Sequence, residues 1–402
     1  MPCWLSIIGI GEDGVAGLSA TARGLISAAE IVFGGERHIS LATSLIRGET
    51  RTWPSPFDGA AEAVWQQRGR RVCVLATGDP FHYGIGATLA NRIDLREMTV
   101  VPAPSAFTLV ATRLGWPLQN TTLLSVHGRS IFLVRPHLQP GARLLVLTSD
   151  GDGPAALAQL LAQTGFGASR MIVCEALGGP RERIRTTTPA KFDLGPVDAL
   201  NTVAIEVEAP HDARVIARAP GLPEHLFEHD GQITKREIRA LILSSTAPLR
   251  GELLWDIGAG SGSVAIEWML IDPLMRAVAI ERRAERAARI RRNAAALGVP
   301  GLEVVEAAAP AALETLARPD AIFIGGGATD PGLLDAAKNA LRPGGRLVVN
   351  AVTFETEVLL LARHAALGGE LIHVSIARAG AVGTKTGWRD AMPVTQWAWT
   401  KP

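Results

Sequence analysis

The chain has 402 residues, 47% of them hydrophobic, which at ~150 residues per domain suffices for two or three cores. A formal net charge of +1 gives no sign of a whole-protein nucleic-acid or membrane-surface partner, although local arginine clusters can still meet an anionic small molecule. Cys3, Cys73 and Cys174 lie far apart and have neither metal-ligand spacing nor a disulfide pattern, so they read as small core residues and no metal centre is expected. Gly9 and Gly11 interrupt the first apolar run before it reaches the length of a secretion signal. No apolar run reaches the ~18 residues of a membrane span, and a cytoplasmic protein is expected.

Residues 4–8 read as a strand running into Gly9-Ile10-Gly11-Glu12-Asp13-Gly14. The spacing is Gly-x-Gly-x-x-Gly, but a dinucleotide fold also needs an acid ending the second strand. The candidate second strand, residues 31–33, ends instead in Gly34-Gly35, and the dinucleotide reading fails there. Between the two, residues 18–29 carry apolar side chains at helical spacing. The next strand, residues 71–76, leads to Thr77-Gly78-Asp79-Pro80-Phe81-His82-Tyr83-Gly84. In such a turn Asp79 either accepts hydrogen bonds from a ligand amine or caps the helix that follows. A further strand ends in Pro102-Ala103-Pro104-Ser105-Ala106, which again sets a small polar residue before a helix, residues 107–114.

These stretches together resemble the tetrapyrrole methylases of corrin and sirohaem synthesis, in which S-adenosylmethionine lies in a cleft between two α/β subdomains. The resemblance implies that Gly9, Gly11, Gly78, Asp79, Ser105 and Ala106 contact the methyl donor. Leu124-Ser125-Val126-His127-Gly128-Arg129 and residues 175–184 resemble further stretches of that family, and strands and helices alternate up to a last strand over residues 202–207. His82 and His127 are read as structural, because carbon methylation of an electron-rich macrocycle needs little general-base help.

The pattern weakens after Glu208, and Pro220-Gly221-Leu222-Pro223 marks the best boundary. The expected division is residues 1–212, a linker over 213–221, and residues 222–402. The second part opens with Gly231-Gln232-Ile233-Thr234-Lys235-Arg236-Glu237, where Thr234 suits an N-cap, Glu237 the capping-box position, and the segment could fold over a ligand. An apolar run follows, ending in Asp256, with glycines at 258, 260 and 262 and then a helical pattern. Strand, tight turn and helix in that order let the backbone approach a ligand closely. The next strand ends in Glu281, placed to grip ribose hydroxyls. Asp256, Gly258, Ala259, Gly260, Ser261, Gly262 and Glu281 therefore describe a nucleoside pocket, with Thr234 beside it. The spacing Asp-x-Gly-x-Gly-x-Gly and the later Leu341-Arg342-Pro343-Gly344-Gly345-Arg346 favour S-adenosylmethionine over a dinucleotide.

This second half resembles the small decarboxylating precorrin methyltransferases, Rossmann-like enzymes unrelated in fold to the first half. It departs from them at Ala307-Ala308-Ala309-Pro310, where the family commonly has Gly-Asp-Ala-Pro, so adenine must rely on shape or on the backbone of Ala309. The order of the halves is that of the fused methyltransferases of aerobic cobalamin synthesis. The fold implied is α/β throughout: an N-terminal tetrapyrrole methylase domain of two α/β subdomains and a C-terminal Rossmann-like methyltransferase domain. The implied activity is methylation of a precorrin at ring carbons 5 and 15, with loss of the ring-C acetate carboxylate, using one S-adenosylmethionine site per half. The resemblance also implies a homo-oligomer and an anionic tetrapyrrole substrate.

Guanidinium forks suit such a polycarboxylate, and the candidates are Arg378, Lys385 and Arg389 near the C-terminus with Arg129 and Arg181 in the first half. Glu355, shortly after the strand at 346–350, is a candidate for proton handling; its other reading is an acid in the first turn of a helix. Two alternatives remain open: a pair of methyltransferases acting on another tetrapyrrole without decarboxylation, and a donor-binding sensor without turnover.

Overall fold

The computed structural model describes residues 3–54 and 57–402, and the chain divides into two compact units. The first comprises the chain through Ile131 together with His137–Ala213, and the second comprises Phe132–Pro136 and Arg214–Pro402. Among the described residues no helix is long and apolar enough to cross a membrane.

The first unit holds two five-stranded sheets among its described residues. In one, β1 (Leu5–Ile10), β2 (Ile31–Phe33), β3 (Glu49–Arg51), β4 (Val72–Thr77) and β5 (Met98–Val101) run parallel in the order β3-β2-β4-β1-β5. β1 and β4 are buried nearly throughout, as the continuous apolar runs of a strand covered on both faces require. The second sheet is mixed: β6 (Thr121–Ser125), β7 (Arg143–Leu147), β8 (Arg170–Glu175), β9 (Arg183–Thr187) and β10 (Asn201–Glu206) in the order β6-β7-β10-β8-β9. β10 is antiparallel to both its neighbours. Cys73 and Cys174 are buried in these sheets, and burial pushes both thiols up to about 12.

The second unit is built on one seven-stranded sheet. β11 (Leu253–Ile257), β12 (Arg276–Ile280), β13 (Glu303–Val305), β14 (Ala321–Ile324) and β15 (Arg346–Ala351) are parallel. β16 (Glu370–Val374) comes next in the chain, and the hairpin β17 (Ala377–Val382) and β18 (Lys385–Asp390) follows it as a separate two-stranded ribbon. β19 (Val394–Thr400) then inserts antiparallel between β15 and β16, giving the order β13-β12-β11-β14-β15-β19-β16. The strand order reverses at β11, and β11, β12 and β14 end where a doubly wound sheet binds its ligand.

The stretch expected as a free linker is part of this unit. Ile216 is buried in the core that includes Leu254, Ile266 and Phe323, and the N–H of Gly221 donates to the Glu267 carboxylate at 2.6 Å. Ile216 and the Gly221 N–H thus join this stretch to the second unit.

Candidate functional site

Each unit carries a cavity at the carboxyl ends of its parallel strands. In the first unit the cavity is a cleft of about 790 Å³. Gly11 follows β1, Gly78 follows β4, and Ser105 and Ala106 open the helix Ala106–Leu114 after β5; all four line the cleft. Ser105 is buried and caps that helix, its Oγ accepting from the N–H of Thr108 at 3.2 Å. Arg129 lies on the wall contributed after β6, its guanidinium 5.9 Å from the ring centroid of Tyr83.

Gly9 and Asp79, expected at the methyl donor, and Arg181, expected at the substrate, do not line this cleft. Gly9 lies behind the cleft, and a Cβ there would fall 1.9 Å from the Gly78 carbonyl oxygen and 2.5 Å from the Ala103 nitrogen. Its role is to let β1 approach the Gly78 turn, whose N–H donates to Ile10 and whose carbonyl accepts from Ala103. Gly9→Ala is therefore expected to destabilise the first unit by about 1–3 kcal/mol through forced main-chain displacement, read as a lowered first thermal transition of the full chain. Asp79 turns back on its own loop, with Oδ1 accepting from the N–H of Phe81 at 2.8 Å, and it does not cap the helix Ile85–Ala90, whose N-cap is Gly84 with no side-chain bond. Arg181 pairs with Asp198 and lies 3.3 Å from Glu12, outside the cleft lining.

His82 and His127 do line the cleft. The His82 ring packs 4.8 Å from Phe107, and His127 Nδ1 is 3.2 Å from the Thr148 carbonyl oxygen. Tyr83 holds a left-handed backbone (φ 57°) while its hydroxyl donates to the Leu123 carbonyl at 3.3 Å. Sequence reasoning missed Arg37 and His38, which enter the cleft beside Thr77 because β2 lies next to β4.

The second cavity, about 300 Å³, lies over the glycine turn after β11. Gly258, Gly260 and Gly262 have φ of 74°, 60° and 75°, a conformation that L side chains rarely adopt. Gly262 also lacks room: a Cβ would lie 2.7 Å from Ile290 Cγ2. Glu281, at the end of β12, is buried but reaches the cavity. Its Oε2 accepts from the N–H of Gly260 and its Oε1 from that of Arg283, both at 3.0 Å. One carboxylate thus fixes the turn and retains lone pairs for a ligand's hydroxyls. Gln232, Ala308, Ala309 and Gly326 also line the cavity, together with the charged Arg283, Arg286 and Asp330. An open backbone cradle, a strand-end carboxylate and a cavity of this size fit the nucleoside part of S-adenosylmethionine.

The remaining members of the expected set act behind the surface. Asp256 is buried beneath the turn, its Oδ2 accepting from the N–H of Ala265 at 3.1 Å. Ala259 packs against the core, and Ser261 is buried with its Oγ unpartnered among the described residues. Burial, aided by the nearby Glu281 charge and opposed by the Ala265 hydrogen bond, pushes the Asp256 carboxyl up to about 7. The folded state then keeps a proton that the unfolded chain releases near pH 4. This contribution is fully present at low pH and is lost as pH rises through about 7. Asp256→Asn keeps an acceptor for Ala265, so the variant should melt like the parent at pH 4 and above it at pH 8, read as the second unit's Tm across that range.

Thr234 does not cap its helix. The helix Arg236–Thr246 has Lys235 at the N-cap with no side-chain bond, and Glu224 instead accepts from the N–H of Arg236 at 3.0 Å. The Arg239 guanidinium takes the Thr234 carbonyl, and Glu237 pairs with Arg378 rather than closing a capping box. Thr234 is not part of the cavity wall, whereas Gln232 two residues earlier is. Arg378, Lys385 and Arg389 sit on the exposed β17–β18 hairpin, away from the cavity lining, with Arg389 donating to the Ala381 carbonyl. Glu355 is exposed in the first turn of the helix Phe354–Leu367, where its charge suits the helix dipole, and it does not line the cavity.

Two strand-end cavities on separate α/β units suit a two-domain enzyme, and the family models make it a methyltransferase. Residues 5–193 match the tetrapyrrole (corrin/porphyrin) methylases and residues 225–401 match the precorrin methyltransferase domain. Over 398 residues the chain is 60% identical to the precorrin-6Y C(5,15)-methyltransferase [decarboxylating] of a Sinorhizobium species, covering 99% of this chain and 96% of that protein. The chain belongs to the precorrin-6Y C(5,15)-methyltransferase (decarboxylating) family. Shorter relatives match part of it. A probable cobalt-precorrin-6B C(15)-methyltransferase (decarboxylating) of Saccharolobus solfataricus is 38% identical over 34% of this chain and 72% of its own length. A cobalt-precorrin-7 C(5)-methyltransferase of Salmonella typhimurium is 27% identical over 45% of this chain and 88% of its own.

Proposed function

We propose that the chain carries two S-adenosylmethionine sites and uses them on one precorrin-6 type substrate in cobalamin biosynthesis, giving precorrin-8. The first unit methylates carbon 5; the second methylates carbon 15 and removes the ring-C acetate carboxylate. The observation that carries this reading is that each unit has its own ligand cavity at the carboxyl ends of parallel strands, built from unrelated turns. The existence of partial relatives named for carbon 5 alone and for carbon 15 with decarboxylation supports the division.

S-adenosylmethionine supplies a methyl group on a sulfonium, transferred by in-line displacement to a ring carbon of enamine character. The protein's task is accordingly to align donor and acceptor at about 3–3.5 Å. In the second unit Glu281 would hold the ribose, Gly258 and Gly260 would admit it against the backbone, and the alanines at 308 and 309 would flank the adenine. In the first, Gly78, Ser105 and Ala106 would form the donor wall. We further propose that the chain acts as a homo-oligomer in the cytoplasm; native mass by light scattering tests the assembly.

The full chain incubated with S-adenosylmethionine and the tetrapyrrole is expected to give a product that has gained two methyl groups and lost one carbon dioxide, read by mass spectrometry. Two methyl groups gained with the carboxylate retained would favour a methyltransferase pair without decarboxylation.

A further inference from the structure

The charged side chains lining the first unit's cleft are Glu12, Arg37 and Arg129. Glu12 and Arg37 stand together at the end of the cleft formed by β1, β2 and β4. The Glu12 side chain is only 8% exposed and is clasped by Arg37 on one side and Arg181 on the other. Arg181 is in turn neutralised by Asp198, so these four groups sum to no net charge. Arg37 keeps 31% of its side chain exposed and is held from a second direction, with Nη2 donating to Thr77 Oγ1 at 2.7 Å. Its orientation is thus fixed by Glu12 and Thr77 before any ligand arrives.

His38 adds a further constraint. Its Nε2 is 2.8 Å from Thr77 Oγ1 and 2.9 Å from Arg37 Nη2. Burial and the neighbouring guanidinium lower its pKa to about 4, so at neutral pH the ring adds no charge and accepts beside Arg37. Among the described residues, the one fixed cation facing this end of the cleft is therefore a braced, planar guanidinium. Trp53 and Phe57 lie beside it in the lining and supply an apolar surround. With Nη1 bound to Glu12 and Nη2 to both Thr77 and His38, the guanidinium retains Nε–H and one Nη1–H for a carboxylate oxygen, and little side-chain freedom is left to lose.

We propose that Arg37, braced by Glu12 and Thr77, anchors a ligand carboxylate in the first unit's cleft. This rests on the methyltransferase reading of that cleft, in which both the methyl donor and the tetrapyrrole bring carboxylates. The chemistry is common to the two, and the experiment separates them. In the full chain, Arg37→Gln removes the charge at similar size, and Arg37→Lys keeps the charge but loses the fork. Binding of S-adenosylhomocysteine is titrated calorimetrically, and KM for the tetrapyrrole and kcat are measured for first-unit methylation.

A hydrogen-bonded charge pair of this kind corresponds to about a 10–100-fold effect. If the anchored group is a substrate carboxylate, Arg37→Gln raises KM for the tetrapyrrole by that factor and leaves S-adenosylhomocysteine affinity as it was. If it is the donor's carboxylate, first-site S-adenosylhomocysteine affinity falls by that factor while the second unit's site, seen in the same titration, is unchanged. Arg37→Lys should lie between parent and Gln, and it decides the matter if Arg37→Gln does not fold. Unchanged affinity and unchanged KM in a folded variant overturn the proposal. Failure of the parent chain to methylate at all would instead remove the reading beneath it.

Discussion

Arg239→Met is expected to destabilise the second unit by about 3–5 kcal/mol, seen as an early second transition in chemical denaturation of the full chain. Arg239 and Glu267 form an ion pair whose side chains are 0% and 2% exposed. Arg239 Nε donates to Glu267 Oε1 at 2.7 Å, and the same carboxylate accepts from the N–H groups of Gly221 and Leu222 at 2.6 and 2.9 Å. The other guanidinium nitrogens donate to the carbonyls of Thr234 and Leu222, and the group lies 5.0 Å from the Phe227 ring centroid. Glu267 belongs to the helix Ser263–Leu270 that opens directly from the glycine turn. The pair therefore ties the lead-in segment to the helix under the donor cavity. Removing the arginine alone leaves a buried carboxylate with only two backbone donors. Arg239→Met combined with Glu267→Met should recover part of the loss, because the penalty comes from the uncompensated charge. A double variant as unstable as the single one would show that the pair's worth lies in its hydrogen bonds to the segment.

Glu281→Ala should weaken donor binding in the second unit at least about tenfold while sparing the first. Its carboxylate holds the N–H of Gly260 and that of Arg283 and faces the cavity. Each charge-assisted bond is worth about 1.5–3 kcal/mol, so S-adenosylhomocysteine affinity at that site should fall at least about tenfold even if the ribose contact is made by water instead. Glu281→Gln retains one acceptor and should fall between the two. Two unchanged sites in the titration would mean that the ligand does not lie against Glu281.

The second site was legible because its chemistry is local. Three glycines and a carboxylate at consecutive strand ends carry the information whatever the rest of the chain does, and parallel pairing of β11 with β12 brings them together. Arg37 and His38 carry no such signature. They reach the cleft because β2 pairs with β4 rather than with β1, a topological fact that periodicity does not record. Thr234 shows the opposite failure. Its spacing to Glu237 imitates a capping box, but a buried arginine one turn later competes for its carbonyl and the helix begins at Arg236. Arg378, Lys385 and Arg389 stand out in the sequence by charge, and charge does not say that β17 and β18 pair with each other as a separate ribbon. Ile216 was hidden in a polar, proline-bearing stretch, where one buried side chain outweighs the composition around it.

The division of labour between the units is tested most directly by carbon dioxide release from two full-length variants, each impaired at one site. Glu281→Ala weakens donor binding in the second cavity, and Ala106→Phe fills the donor wall of the first cleft. Decarboxylation slowed at least about tenfold in Glu281→Ala, at donor concentrations below saturation, and retained by Ala106→Phe is the expected result. Carbon dioxide released at the parent rate by Glu281→Ala would contradict it and move the decarboxylation out of the second unit.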